Sequence, residues 1–152
     1  MPIWNGKPKF NYQTIKKVDS ANGRVYDINN EKLPSVTTIL GATRSAESEA
    51  NLAKWRQKLG EKKADQVRDD AAARGTIMHR ILEGFIKGEN HMDLSELGKE
   101  AGIMAQNIID EGHLHPLTEV WGLEMPLYYP GLYAGASDVV GVYNGRESII
   151  DF

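Results

Sequence analysis

The 152-residue sequence contains no cysteine and no run of about 18 apolar residues. Without cysteine, disulfides and thiolate-ligated zinc or iron–sulfur sites are excluded. Without a long apolar run, no membrane span is expected, and the N-terminal sequence MPIWNGKPKFNYQ lacks the apolar core of a signal peptide. These absences are compatible with a reducing cytoplasm.

Positive charge is also scarce. Eighteen Lys and Arg stand against 21 Asp and Glu, which gives a net charge of −3. No global basic field therefore draws the protein to nucleic acid, and DNA binding would need local patches. Two basic clusters are present, and solvated surface is the simpler interpretation of both: Lys7, Lys9, Lys16 and Lys17 in one, and Lys54, Arg56, Lys58, Lys62 and Lys63 in the other.

Motifs of several enzyme classes are absent as well. The sequence has no H-E-x-x-H zinc pattern, no glycine-rich phosphate loop and no nucleophile elbow. The zinc proteases, the P-loop enzymes and the α/β-hydrolases therefore lack support.

A change of periodicity along the chain predicts its organisation. Residues 1–34 indicate short strands and turns, with a hairpin at Asn22-Gly23. A short helix follows, which Ser35 or Thr37 can cap and Gly41 can end. Four helical patterns come next, and the period then changes from 3.6 to 2; the helices are predicted at 45–60, 61–75, 76–88 and 93–112, and the strands at 118–129, 133–143 and 146–152.

Two of these helix boundaries rest on single residues. Gly75 is predicted to end one helix, so that Thr76 begins the next. Asp93 and Glu96 have the spacing of a capping box at the start of the last helix. The apolar face of that helix is predicted to contain Leu94, Leu97, Ala101, Met104 and Ile108.

At this length, a single domain over residues 1–152 is expected.

The last hairpin brings two acidic residues together. If Asn144-Gly145 forms a two-residue turn, Asp138 lies directly opposite Asp151, with Cα atoms about 4.5 Å apart in a non-hydrogen-bonded pair. Like charges in that position destabilise a sheet unless they share a proton, move apart or share a cation. A bulge or a solvated face would also explain the pair. A site for Mg²⁺ or Mn²⁺ is the functional interpretation.

A third carboxylate is predicted on the neighbouring strand. A three- or five-residue turn would place Glu124 opposite Asp138, whereas a two-residue turn would direct it to the other face. Glu119 is the second choice.

His79 lies at the edge of the apolar face of its helix. Thr76, His79 and Glu83 follow at i, i+3 and i+7, so they form a polar stripe beside the core. Taken alone, a histidine in that position is more often packed or capping than a ligand.

These residues, in this order, resemble the PD-(D/E)XK nuclease superfamily in its RecB-like branch. The segment GLYAGASDVVGVYNGRESIIDF resembles the active-site hairpin, in which an aspartate on one strand is followed by (I/V)(I/V)D-x-K on the next. LPSVTTILGAT, WRQKLG and AAARGTIMHRILEGFIKG extend the resemblance over about residues 24–152. Within the branch, the chain is most similar to the mitochondrial genome maintenance exonucleases and their phage relatives, which degrade single-stranded DNA.

The resemblance implies an α/β fold with α+β-like order, in which an N-terminal hairpin and helices precede the three-stranded meander of a restriction-endonuclease-like core. It implies Mg²⁺ or Mn²⁺ as the cofactor and DNA, single-stranded by preference, as the partner. The metal ligands it implies are His79, Asp138, Asp151 and the carbonyl of Phe152. The catalytic acids it implies are Asp138, Asp151 and Glu124. The phosphate contacts it implies are Arg74 and the hydroxyls of Ser35, Thr37 and Thr38.

The sequence departs from the family pattern after Phe152, where the motif lysine and a further helix are expected. The fold is therefore expected to be incomplete at its C-terminus, and a truncated exonuclease with weak or no activity is predicted. The alternatives are a non-catalytic DNA-binding remnant, a structure-specific or single-strand endonuclease of the same superfamily, and a non-nuclease interaction domain. The family also implies the cytoplasm of a bacterium or of a phage-infected cell.

Overall fold

Along the chain, a three-stranded antiparallel sheet comes before the helices and a second one follows them. The computed structural model describes residues 3–152, and this part of the chain contains four helices in addition to the two sheets. In chain order the elements are β1 (Lys16–Ser20), β2 (Gly23–Ile28), β3 (Glu31–Pro34), α1 (Val36–Ala42), α2 (Ala46–Leu59), α3 (Glu61–Lys87), α4 (Glu96–Asp110), β4 (Leu117–Tyr129), β5 (Tyr133–Tyr143) and β6 (Arg146–Ile150). The predicted mixed α/β fold of α+β type is confirmed. That residues 1–152 form a single domain stays a prediction.

The N-terminal sheet has the order β1-β2-β3 and contains the predicted hairpin with its loop moved by one residue. Ser20 pairs with Gly23, so the two loop residues are Ala21 and Asn22. Gly23 has a φ of +108°, and a Cβ there would lie 2.7 Å from Oγ1 of Thr38 in α1. A glycine is therefore needed both for the backbone angle and for the close approach of α1.

The helix α1 connects the two sheets. Ser35 caps it as predicted, because the Ser35 hydroxyl accepts a hydrogen bond from the Thr38 backbone N–H at 3.0 Å. Ser35 also forms a parallel bridge with Ala134 of β5. The helix continues past Gly41 to Ala42, one residue beyond the predicted end.

The prediction of two separate helices before and after Gly75 is wrong. A single 27-residue helix, α3, runs through this glycine. A glycine inside a helix costs only about 1 kcal/mol relative to alanine, and the residues on both sides favour the helix. Thr76 caps nothing; its hydroxyl donates to the carbonyl of Ala72 one turn earlier at 3.0 Å. The predicted end at Gly88 is confirmed, with a left-handed φ of 73°.

The predicted capping box of α4 is also wrong. The capping residue is Ser95, whose hydroxyl accepts from the backbone N–H of Gly98 at 3.0 Å. Asp93 instead accepts from the backbone N–H and the hydroxyl of Ser95, at 2.9 and 2.6 Å. Asp93 therefore orients the cap and does not form it.

The apolar face predicted for α4 is wrong in part. Leu94 and Met104 are exposed, and the buried residues of the helix are small: Gly98, Ala101 and Ala105. Ala101 and Ala105 belong to the main core with Leu82 and Ile86 of α3. Small residues at this contact let the two helices approach closely, which places the wider side chains at its margins.

The C-terminal sheet is the predicted meander β4-β5-β6. Its two turns span residues 130–132 and Asn144-Gly145. The register of the last hairpin agrees with the prediction from Tyr143 opposite Arg146 to Val139 opposite Ile150. Val139 is fully buried in the core that α3 and α4 form against this sheet.

The helix α2 has the predicted bounds, from its cap at Ser45 to Gly60, but contributes nothing to the core. Its apolar residues Leu52 and Trp55 are exposed, and none of its residues is buried. Among residues 3–152, no helix is both long and apolar enough to cross a membrane.

Candidate metal centre

The sequence-predicted histidine and the first predicted aspartate meet in the structure. Helix α3 carries His79 across the C-terminal sheet, and its Nδ1 lies 3.2 Å from Oδ1 of Asp138 on β5. Asp138 is 8% exposed and is one of three buried polar residues in the described part of the chain. A carboxylate this buried needs partners for both of its oxygens.

The second oxygen of Asp138 has such a partner in the backbone. The N–H of Phe152 donates to Oδ2 of Asp138 at 2.7 Å. The ring of Phe152 meets the His79 ring edge to face, with centroids 5.8 Å apart. The Asp138 carboxylate is therefore held from both sides. The contact of Phe152 in the structure is its N–H, and the ligand role of its carbonyl stays a prediction.

Glu124 approaches Asp138 because the β4–β5 turn has three residues. The residues on either side of Glu124 pair with those on either side of Asp138, so the two acids occupy the same level of the sheet. The backbone of Glu124 is left-handed, with a φ of 52°. Such angles are costly for residues other than glycine and cluster at functional sites. One ligand atom from each of His79, Glu124 and Asp138 lies within 4.8 Å of the other two.

Asp151 lies next to Phe152, whose backbone N–H donates to Asp138. Asp151 follows directly after the last residue pair of the β5–β6 hairpin. Its predicted position directly opposite Asp138 is one pair beyond the observed register and stays a prediction. Burial and the neighbouring Asp138 carboxylate raise the pKa of Asp151, while His79 acts in the opposite direction. It lies outside the set of His79, Glu124 and Asp138 that shares the 4.8 Å limit.

The pKa of Glu124 is raised in the same way. Burial is the largest cause, and the negative charges of Asp138 and Glu83 add to it, while His79 lowers the value. Glu124 and Asp151 are nevertheless exposed residues by surface area. Because both side chains are exposed, the nearby Asp138 carboxylate explains their raised pKa values better than burial does. Negative charge is crowded at this point of the sheet.

The donor set fits a hard divalent cation. It offers one imidazole nitrogen and the oxygens of two carboxylates, and the chain has no thiolate. Mg²⁺ and Mn²⁺ favour carboxylate oxygens, and a cation among these acids would relieve their mutual repulsion. The acids that can hold it are Asp138 and Glu124, with His79 as the nitrogen ligand, and the ligand role of Asp151 stays a prediction.

A groove of about 580 Å³ opens beside this centre. The polar stripe of α3 predicted from the sequence lines it, since Thr76, His79 and Glu83 all face this space together with Glu124. Lys17 of β1 also reaches the groove. Glu83 was detectable as a site residue from its helical spacing to His79. Lys17 was not, because only the tertiary structure brings the N-terminal sheet here.

The predicted phosphate contact Arg74 is engaged in an ion pair. Its Nη1 lies 2.8 Å from Oε2 of Glu100, which joins α3 to α4. Its role in nucleic-acid binding stays a prediction.

Two of the three predicted hydroxyl contacts hold α1 in place. The Thr38 hydroxyl accepts from the backbone N–H of Arg24 at 3.1 Å, and the buried Ser35 hydroxyl caps the helix. Thr37 is exposed, and its Oγ1 lies 2.9 Å from Oγ of Ser35. Of the three, Thr37 is the most accessible to a phosphate, and the binding role of all three stays a prediction.

Comparison with known proteins gives one informative relative. Mitochondrial genome maintenance exonuclease 1 of the mouse is 27% identical to this chain over 133 residues. The match covers 82% of this chain and 38% of the relative, so the chain spans well under half of the relative's length. No protein-family model matches the chain, and no solved structure matches it. The likeness supports a nuclease-like relationship.

Proposed function

We propose that this chain is a metal-dependent DNA exonuclease of the PD-(D/E)XK type that hydrolyses phosphodiester bonds in single-stranded DNA. The observation that carries the proposal is the convergence of His79, Glu124 and Asp138 within 4.8 Å. The relative that covers most of the chain is an exonuclease, which agrees with this chemistry. The predicted location in a bacterial or phage-infected cytoplasm rests on the family resemblance alone.

The residues of the centre divide the work. Asp138 is fixed between the ring of His79 and the N–H of Phe152, so its carboxylate keeps one orientation. Glu124 faces the groove, where a phosphodiester can lie beside it. Bound Mg²⁺ or Mn²⁺ supplies stabilisation of the charge that develops on the phosphate oxygens. Asp138, Asp151 and His79 would supply the negative charge and the fixed positions that binding of the cation requires.

Metal binding tests the centre itself. We expect isothermal titration calorimetry with Mn²⁺ to give one binding event that Asp138→Asn abolishes and Asp151→Asn weakens. Glu147→Gln is the matched control, because Glu147 is an exposed acid on the same hairpin, opposite Val142. Binding that both aspartate variants retain would show that the cation is held elsewhere.

Cleavage tests the activity. The chain is incubated with Mn²⁺ and single strands labelled at the 5′ or the 3′ end, and with the matching duplex. The expected result is stepwise shortening of the single strands, slow as the predicted weak activity implies and absent in Asp138→Asn. Internal fragments would identify an endonuclease of the same chemistry. DNA binding without cleavage at any Mn²⁺ concentration would identify the non-catalytic alternative.

A further inference from the structure

A second groove, of about 540 Å³, begins at Asp151 and follows β5 toward the β4–β5 turn. Tyr129 and Tyr133 line it at the end near the turn, and α1 lines its opposite side. From Tyr133 to Asp138 the strand advances five residues, which is about 17 Å. Asp138 does not line this groove, but Asp151 does, so the groove connects the turn with Asp151, the neighbour of Phe152, whose backbone N–H donates to Asp138.

The two tyrosines form a stacked pair at the end of this groove. They are directly paired across the strands, their ring centroids are 5.9 Å apart, and the rings are inclined by 28°. An aromatic pair at a hairpin end stabilises the hairpin, which is a sufficient reason for two tyrosines there. It does not account for their exposure, which is 56% for Tyr129 and 41% for Tyr133.

The other walls of the groove are exposed and apolar too. Val36 and Leu40 of α1 and Ile149 of β6 all line it, and each of them is an exposed large hydrophobic residue. Contiguous exposed apolar surface beside a reactive centre is typical of a ligand site. Polar groups interrupt this surface at Arg24 and Thr37.

The chemistry of the groove indicates its occupant. Flat aromatic rings and apolar walls favour a ligand with flat apolar parts. The Nε of Arg24 donates to Asp19 at 2.7 Å, so the other N–H groups of this guanidinium and the Thr37 hydroxyl are the donors for anionic groups. At the far end, Asp151 belongs to a centre that needs a cation before an anion can approach. Unpaired nucleobases joined by phosphates combine these properties. A duplex keeps its bases stacked on one another and cannot offer their faces to the tyrosines.

We propose that this groove binds a single nucleic-acid strand, with at least one base stacked on the Tyr129–Tyr133 pair and the backbone directed to Asp138 and Asp151. This inference rests on the proposed function, which already specifies a single strand, and adds the place where a base of that strand is bound. It assigns to the two tyrosines a binding role in addition to their role in the hairpin.

Fluorescence anisotropy with a labelled 12-nucleotide single strand, in Ca²⁺ to limit cleavage, tests the proposal. Tyr129→Leu and Tyr133→Leu keep an apolar side chain and remove the ring, and we expect each to weaken binding about tenfold. Tyr129→Phe keeps the ring and should bind within about twofold of the unmodified chain. Phe10→Leu is the matched control, because Phe10 is an exposed aromatic residue that packs against Trp121 outside this groove.

Abasic strands make the test independent of hairpin folding. The unmodified chain should bind a strand of abasic sites about tenfold more weakly than the normal strand, and Tyr129→Leu should discriminate less between the two. Equal affinity of the unmodified chain for both strands would overturn the proposal. So would leucine variants that bind normally, or a groove that takes apolar peptides in preference to DNA.

The calorimetric experiment separates this failure from that of the proposed function. Mn²⁺ binding that depends on Asp138, together with DNA binding that ignores the bases, would overturn the stacking proposal and leave the metal-dependent nuclease standing. If the unmodified chain binds neither Mn²⁺ nor DNA, the stacking proposal and the proposed function are both overturned.

Discussion

Replacing Asp151 by asparagine is expected to change stability in opposite directions with and without metal. The substitution removes one charge from the acidic centre and preserves the shape of the side chain. In the metal-free protein burial and the Asp138 carboxylate raise the pKa of Asp151, so the negative charge of Asp151 opposes folding. Without that charge the metal-free protein should be more stable.

The size of the gain follows from the charges. Two unit charges about 4 Å apart repel by about 1 kcal/mol in water and by about 4 kcal/mol at an effective dielectric constant of 20. Because Asp151 is an exposed residue, the lower figure applies after solvent screening. For a chain of 152 residues this corresponds to an increase in Tm of about 2–4 °C.

Metal reverses the order of the two proteins. At a free Mn²⁺ concentration 100 times its Kd, binding stabilises the unmodified protein by about 2.7 kcal/mol, or about 5–11 °C in Tm. Asparagine is a weaker ligand than a carboxylate, so the Mn²⁺-induced increase in the variant should be smaller.

Thermal unfolding followed by circular dichroism, in EDTA and in saturating Mn²⁺, measures both effects. Glu147→Gln removes an exposed charge on β6 and should leave both values unchanged within about 1 °C. A lower Tm for Asp151→Asn in EDTA would refute the claim that the acids repel each other. An undiminished Mn²⁺ shift would refute the role of Asp151 as a ligand.

Three further predictions concern the same centre and the helices that support it. The pKa values of Glu124 and Asp151 are raised in the folded state, so the contribution of these groups to stability should rise as the pH falls from 7 toward their unfolded pKa values near 4. Asp138→Asn should reduce this rise, and measurements of the free energy of unfolding at pH 7 and pH 5 will test it. Glu124→Gly should be about 1 kcal/mol more stable than Glu124→Ala in urea unfolding, because glycine accepts the φ of 52° without strain, and equal stabilities would contradict a strained backbone. Gly75→Ala should raise the free energy of unfolding by about 0.5–1 kcal/mol, because the new Cβ meets open space beside α3. Gly98→Ala should lower the free energy of unfolding, because its Cβ would lie 2.3 Å from Asp93. The opposite ranking of the two variants would refute this account of the two helices.

Turn chemistry made the register of the last hairpin predictable as far as Val139 opposite Ile150, and the pairing of Asp138 with Asp151 one position further stays a prediction. Asn144-Gly145 determines which residues of β5 and β6 face each other, and the observed register is the one this turn dictates. The same reasoning gave Glu124 the correct level on β4 once the β4–β5 turn had three residues. These relations are local, so a single sequence contains them.

Tertiary contacts determine what the sequence could not provide. Gly75 was an adequate stop signal by propensity, but α3 is stabilised on both sides of it and continues. Leu94 and Met104 have helical spacing, yet the approach of α3 selects the small face with Ala101 and Ala105. Which of two possible faces packs depends on a partner whose position the local pattern does not contain.

The position of Asp138 explains how this fold tolerates an acidic centre. Its neighbour in sequence, Val139, is fully buried in the core, so adjacent residues of β5 belong to the core (Val139) and to the site (Asp138). Burying Val139 stabilises the strand by roughly 1.5–3 kcal/mol. Repulsion between Asp138 and Asp151, about 1 kcal/mol after screening, is smaller, and it acts on a strand that α3 and α4 already hold in place. The metal-free protein can therefore keep its carboxylates close together, and a cation that binds there finds its ligands assembled.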